Sequence, residues 1–179
     1  MNEPNDNELV RRAQKGSPDA VGELYDRYQA QLFRFVWARV GDRQLAEDIT
    51  SEIFTRMVVH LPKYQPTAVP FSAWLYQIGR NLITDTYRRD NGRYPEPLEN
   101  ALSAGDGQAG PDLMVDQQLT LEKIHTALAD IDPQQREVVT LRFLTGLSLR
   151  ETAETLDCSL SAIKSLQHRG LIALRATLK

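Results

Sequence analysis

Residues Phe71–Arg89 read FSAWLYQIGRNLITDTYRR. Phe71, Trp74, Leu75, Ile78 and Leu82 recur at the spacing of one helical face and are expected to meet a core. Gln77, Asn81, Asp85 and Arg88 fall three or four apart on another face, with Arg80 and Arg89 beside them. One side is a packing stripe and the other a row of hydrogen-bonding and cationic groups. Such a helix can anchor in a bundle and offer its polar side to a large polar partner. A merely solvated face has the same composition, so the flanking sequence decides.

Upstream, the spacing predicts a short helix over Asn7–Lys15 stopped by Gly16. Ser17-Pro18 starts a longer one to about Val40, with an apolar stripe through Val21, Leu24, Tyr28, Leu32, Phe35, Val36 and Val40. Gly41 ends it and Asp42 caps a helix from Arg43 to about Leu61, which buries Leu45, Ile49, Ile53, Met57 and Leu61 and shows Glu47, Asp48, Ser51, Glu52 and Arg56 outward. Pro62–Pro70 is a loop stiffened by three prolines.

Downstream, residues 94–115 read as a flexible linker, with its prolines and glycines and no apolar period. A second helical block follows: Asp116–Ala129, then a helix capped by Asp132-Pro133 running to Leu144 and burying Val138, Val139, Leu141 and part of Phe143. Ser148–Glu151 is a capping box opening a further short helix. The last helix, Ser161 to about Leu178, is expected to bury Ile163, Leu166, Leu171 and Leu174. The fold class is all-α: two small helical domains, residues 1–93 and 116–179, joined by an acidic linker. The tail beyond Leu174 leaves little room for a further module.

Charge follows the same division. Residues 1–93 carry a net +1, residues 94–122 have six acids and no Lys or Arg, and residues 123–179 carry a net +2. The 41% hydrophobic and 25% charged content suits a globular protein, so a disordered chain is excluded. The acidic, polar N-terminus is no signal peptide, no apolar run reaches the roughly 20 residues of a bilayer span, and the lone Cys158 fits a reducing compartment. We expect a cytoplasmic protein with no membrane insertion. There is no phosphate-cradling glycine loop, no HExxH and no cysteine cluster, and His60, His125 and His168 are scattered, so we expect no catalytic residues, metal or cofactor.

Gly146–Leu174, GLSLRETAETLDCSLSAIKSLQHRGLIAL, has two capped helices around a short turn with small Ala153 at the crossing. That is a helix-turn-helix pattern, whose second helix presents its first turns to the major groove. Ser161, Lys164, Ser165, Gln167, His168 and Arg169, with Arg150 at the start of the preceding helix, can reach phosphates or base edges. The same pattern suits a response-regulator output domain, so the N-terminal half must discriminate.

That half resembles a known family. QLAEDITSEIFTRMV (Gln44–Val58) followed by FSAWLYQIGRNLITDTYRR is similar to bacterial RNA polymerase sigma factors of the extracytoplasmic-function (ECF) group. ELVRRAQKGSPDAVGELYDRYQAQLFRFVWARVGD resembles their first region, and DPQQREVVTLRF with GLSLRETAETL resembles their C-terminal DNA-reading domain. The resemblance covers nearly the whole chain in order, leaving out the acidic linker.

The resemblance implies a factor that binds core RNA polymerase through the clamp of the largest subunit and the second-largest subunit, recognises the -10 and -35 promoter elements, and melts the -10 region. Polymerase contacts would come from Asp48, Ile49, Glu52 and Phe54. Contacts to the -10 element would come from Tyr64, Arg80, Asn81, Asp85, Arg88 and Arg89, with Tyr64 a stacking candidate for an extruded base. Arg150, Ser161, Lys164, Ser165, Gln167, His168 and Arg169 would serve the -35 element. The family often has Arg where this chain has Leu166 and an apolar residue where it has Gln167, so Gln167 is the candidate replacement for that contact. An anti-sigma factor is a further expected partner. The linker, extended, reaches about 80–90 Å but as a free coil averages roughly 25–30 Å, against roughly 70 Å between two promoter elements two helical turns apart. Polymerase must therefore hold it extended, and free protein should bind promoter DNA poorly. The alternatives are a polymerase-independent helix-turn-helix regulator and, further off, a helical protein-binding adaptor.

Overall fold

The computed structural model describes residues 5–67, 69–89 and 123–177. The expected linker at 94–115 and the start of the helix expected from Asp116 lie outside them. Eight α-helices occur among the described residues: α1 Asp6–Gln14, α2 Pro18–Val40, α3 Arg43–His60, α4 Phe71–Arg89, α5 at residues 123–129, α6 Pro133–Val139, α7 Leu149–Leu156 and α8 Leu160–Thr177.

The helix ends follow local chemistry. Ser17 Oγ accepts from Ala20 N ahead of Pro18, which has no N–H to satisfy. Gly41 ends α2 at φ +71°, a conformation that costs a glycine little, and the Asp42 carboxylate accepts from Leu45 N to begin α3. Asp132 caps α6 by accepting from Gln134 N and Gln135 N. Ser148 and Glu151 close a reciprocal capping box on α7.

The first module packs α1–α4 around Leu24, Leu32, Phe35, Ile53, Met57, Leu75 and Tyr76, all sealed from solvent. Each such side chain contributes about 1.5–3 kcal/mol of burial. Gly79 lets α4 cross close to its neighbours: a Cβ there would sit 3.0 Å from Ile53 Cδ1 and 3.4 Å from Phe35 Cε1. Asp6 ties α1 to α2, accepting from Arg27 at 2.6 Å and from the Tyr28 hydroxyl. Burial and that carboxylate push the Tyr28 hydroxyl's pKa far up, so it stays a proton donor.

The second module has a smaller core of Val138, Ala153 and Ile163, with Leu149, Leu156 and Leu166 against it. Gly170 lets α8 lie on α6, where a Cβ would meet Val139 Cγ2 at 2.8 Å. One expectation, the partial burial of Phe143, is met only loosely, and another fails. Phe143 is 53% exposed, because Thr140–Leu144 winds as a π-turn; the extra residue shifts the helical phase, turning Leu141 in and Phe143 out. Leu171 is 40% exposed, since the inner stripe of α8 runs through Ile163, Leu166, Gln167, Gly170, Ala173 and Leu174 and passes it by.

The two modules touch. Leu141 and Leu147 join the apolar cluster of the first module, and Ala38 of α2 joins Leu128, Ile131 and Val139 of the second.

Candidate nucleic-acid and polymerase interfaces

The polar row of α4 is in place. Gln77 Nε2 donates to Asn81 Oδ1 at 3.1 Å, and Arg80 Nη1 donates to Gln77 Oε1 at 3.3 Å. Asn81, Arg88 and Arg89 are exposed and Asp85 is half-buried. The row is continuous because Leu75, Tyr76, Gly79, Leu82 and Ile83 take the inward positions and leave the remaining ones to solvent.

An aromatic corner stands at the start of α4. Tyr64, on the chain following the Leu61–Lys63 3-10 turn, lies 4.6 Å from the Trp74 ring and 5.4 Å from that of Phe71. Gln14 of α1 fixes this segment by donating from Nε2 to the Leu61 carbonyl at 2.9 Å and the Tyr64 carbonyl at 2.7 Å. Partial burial raises the Tyr64 hydroxyl's pKa. Tyr64 and Trp74 are both half-buried, so each keeps ring surface on which a base can stack. Trp74 packs against the core of the first module, as its place on the apolar stripe predicts. Its pairing with Tyr64 makes it part of this corner, which a helical period cannot show.

On α3, Asp48 is exposed and accepts from Gln44 Nε2 at 3.2 Å; Glu52 pairs with Arg56 at 2.9 Å in a surface i,i+4 bridge worth little on its own. Ile49 and Phe54, expected as polymerase contacts, are only 4% and 7% exposed. Their side chains serve the core of the first module, so Asp48 and Glu52 are the groups on offer. Phe54 also contacts exposed Tyr25, with ring centroids 4.6 Å apart.

In the second module, α7 and α8 are joined through Asp157 in the left-handed region (φ 51°), Cys158 and Ser159. Ser159 starts α8, its hydroxyl accepting from Ala162 N at 3.2 Å. Lys164, Ser165, His168 and Arg169 share the exposed face of α8, Ser161 is exposed at its start, and Arg150 is exposed on α7. Gln167 does not share that face. It lies on the inner stripe, where its Oε1 accepts from Arg142 Nε at 2.9 Å. Arg142 also donates to the Leu147 carbonyl and so ties the π-turn, the loop before α7 and α8 together. Sequence periodicity could have placed Gln167 inward, because it lies four residues from Ile163 and three from Gly170; its polarity hid that.

The modules meet at a cluster of guanidiniums. Arg80 Nε of α4 lies 2.8 Å, and Arg39 Nη1 of α2 3.1 Å, from the same oxygen, Glu137 Oε1 of α6. That oxygen and Arg39 Nη1 are sealed from solvent, and neither contact is aligned as a hydrogen bond. Arg80 Nη1 also donates to the Thr155 carbonyl at 3.4 Å. Arg136, almost fully buried, donates to the Ala129 and Ile131 carbonyls. Burial, then the nearby Arg39, lowers its pKa to about 10. His125 of α5 stacks edge-on to Trp37 at 5.1 Å and covers Gly41, where a Cβ would come within 2.5 Å of its ring. Burial, then the Arg136 charge, lowers the His125 pKa.

Among the described residues there is no group of three or more acidic, His or Cys side chains able to hold a metal, and no helix long and apolar enough to cross a membrane.

Comparison with known proteins agrees with this geometry. The Sigma-70 region 2 family matches residues 24–93 and the Sigma-70, region 4 family matches residues 127–176. The chain is 39% identical over 167 residues to the ECF RNA polymerase sigma factor BldN of Streptomyces coelicolor, covering 93% of this chain and 63% of BldN. It is 31% identical over 156 residues to the ECF RNA polymerase sigma factor SigX of Bacillus subtilis, covering 85% of this chain and 80% of SigX. The fold is similar to that of CnrH, solved in complex with the cytosolic domain of CnrY, with a TM-score of 0.75 at 25% identity over 97% of this chain and 96% of CnrH. The chain belongs to the ECF group of RNA polymerase sigma factors.

Proposed function

We propose that the chain binds core RNA polymerase and directs promoter-specific initiation, the first module engaging and melting the -10 element and the second reading the -35 element. The observation that carries this reading is the pair of polar helix faces, on α4 and α8, lying within the region 2 and region 4 matches in that order. Residues 1–93 and 116–179 are the two functional units and the acidic segment between them connects the units inside the polymerase.

In the first module Asp48 and Glu52 meet basic groups of the clamp. Arg80, Asn81, Asp85, Arg88 and Arg89 engage the -10 strand, and Tyr64 beside Trp74 stacks on an extruded base, which offsets the few kcal/mol of unstacking. In the second, Ser161, Lys164, Ser165, His168 and Arg169 face the major groove, with Arg150 on a phosphate. Gln167 supports α8 from behind. The work is binding and strand separation, with no covalent chemistry, and takes place in the cytoplasm with the polymerase. CnrH was solved with the cytosolic domain of CnrY, and an inhibitory protein partner for this chain is part of the same proposal.

The test is run-off transcription with core polymerase freed of its own sigma factor. Transcripts that depend on this chain support the reading. No initiation at any promoter, with tight duplex binding by the chain alone, would favour a polymerase-independent regulator.

A further inference from the structure

Gln14 is the last residue of α1, and its side-chain amide spends both hydrogens on a segment about 50 residues away. Nε2 donates to the Leu61 carbonyl at 2.9 Å and to the Tyr64 carbonyl at 2.7 Å. One group thus grips both ends of the 3-10 turn that leads into Tyr64. We propose that Gln14 is a positioning residue for promoter opening: it sets the Tyr64 ring against Trp74 and so fixes the surface on which an extruded base stacks. This deepens the proposed function and rests on it.

The anchor behind Gln14 is firm. Leu9 and Val10 of α1 are sealed in the first core, and Ala13 is buried beside them. Asp6 accepts from Arg27 and from the Tyr28 hydroxyl, which ties the start of α1 to α2. The end of α1 is closed by Gly16 in the left-handed region (φ 87°). Gly16 N donates to the Ala13 carbonyl at 2.9 Å and Ser17 N to the Arg12 carbonyl at 3.1 Å. The Gln14 backbone is held from both sides, and its amide passes that fixed position on to the turn.

The turn moves as a unit. Pro62 fixes one φ inside it, and Tyr64 N closes it on the Leu61 carbonyl at 3.1 Å. Gln65, Pro66 and Thr67 beyond it are exposed. Trp74 belongs to another body, α4, whose Phe71 and Leu75 are buried. The Tyr64–Trp74 centroid distance of 4.6 Å and tilt of 38° therefore depend on how the turn is held relative to α4. A gap of about 0.5–1 Å forfeits roughly a quarter to a half of a dispersion contact, so a small shift of the turn weakens stacking. The amide is uncharged, so its effect should not vary with salt as a phosphate contact does.

The test compares full-length variants. Gln14→Met keeps an unbranched side chain of similar length and removes both donors; Gln14→Lys supplies donors again, with enough reach. In the free chain, the nuclear Overhauser effect between the Tyr64 and Trp74 rings should weaken in Gln14→Met and return in Gln14→Lys. With core polymerase and a promoter that the native chain transcribes, 2-aminopurine walked through the -10 bases reports stacking. Gln14→Met should lose the fluorescence change at the stacked position and lower open-complex yield about fivefold at every salt concentration. Its affinity for core polymerase should stay native, and Gln14→Lys should recover the fluorescence change. Gln14→Glu, which sets a carboxylate against the two carbonyls, serves if the methionine variant does not fold by circular dichroism. Unchanged ring contact in a folded variant overturns the proposal. So does weakened ring contact with native stacking, an equal loss of polymerase affinity, or failure of Gln14→Lys to restore the stacking signal. Run-off transcription with the native chain judges the sigma-factor reading separately: if it fails, the ring contact in the free chain decides the positioning of Tyr64 alone.

Discussion

Arg142 Nε donates to Gln167 Oε1 at 2.9 Å, and this bond keeps Gln167 on the inner side of α8. A residue expected to touch DNA is thus held against the second module from the inner side of its helix. Gln167→Ala should leave affinity for the -35 element within about twofold, whereas Lys164→Ala should weaken it and reduce the slope of log affinity against log salt by about 1. Arg142→Ala, which also removes the donor to the Leu147 carbonyl, should cost about 1.5–3 kcal/mol of stability. Salt-dependent DNA binding and urea unfolding check the three variants; a large DNA defect in Gln167→Ala would reverse the assignment.

The two glycine crossings should respond unequally to alanine. At Gly170 a Cβ meets Val139 Cγ2 at 2.8 Å and the Gln135 carbonyl oxygen at 3.3 Å, and that backbone oxygen cannot step aside. At Gly79 the nearest atom is Ile53 Cδ1 at 3.0 Å, the end of a flexible side chain. Overpacking of this kind costs about 1–3 kcal/mol, against a helix-propensity gain of about 1 kcal/mol. Gly170→Ala should therefore destabilise clearly and Gly79→Ala little, as read from urea midpoints.

His125 gives a pH dependence with a definite sign. Burial and the Arg136 charge lower its folded pKa below the usual 6.5, so the folded protein keeps it neutral. The unfolded chain takes up the proton first as pH falls. The stability His125 contributes is thus full above about 6.5 and is lost as pH drops below it towards the folded value. Denaturation measured from neutral to mildly acidic pH should show this loss in the native chain and a smaller one in His125→Phe. Parallel curves for the two would remove His125 as the cause.

On α3, Asp48→Ala with Glu52→Ala should weaken core polymerase binding, and more so at low salt than at high. The exposed Asp48 and the surface-paired Glu52 leave folding nearly unaffected, so circular dichroism should not change. An affinity loss independent of salt, or none, would return both acids to the solvated surface.

The caps made most of the fold legible in sequence. Ser17-Pro18, Gly41-Asp42, Asp132-Pro133 and the Ser148–Glu151 box sit where the helices begin and end. Leu24, Tyr28, Leu32, Phe35 and Val36 of α2 are buried as their spacing predicts, because a long amphipathic helix leaves little freedom in phase. What stayed hidden depends on contacts distant in sequence or on a change of winding. The π-turn at Thr140–Leu144 resets the phase and turns Phe143 out. Phe54 sits on the motif that suggested a docking helix, yet it faces the core beside Ile49, whose burial the apolar stripe of that helix predicts. The meeting of Arg39 and Arg80 at Glu137 joins residues about 40 to 100 positions apart, which no local pattern encodes.

On the proposed function, this chain with core polymerase opens a promoter through α4. Permanganate reactivity of thymines in the -10 region reads strand separation directly. Core polymerase with the native chain should make those thymines reactive; core alone should not. Core with the Asn81→Ala, Arg88→Ala chain should bind the factor normally but leave them protected. Thymines that stay unreactive with the native chain present, or react equally with the double variant, would rule out promoter opening through α4.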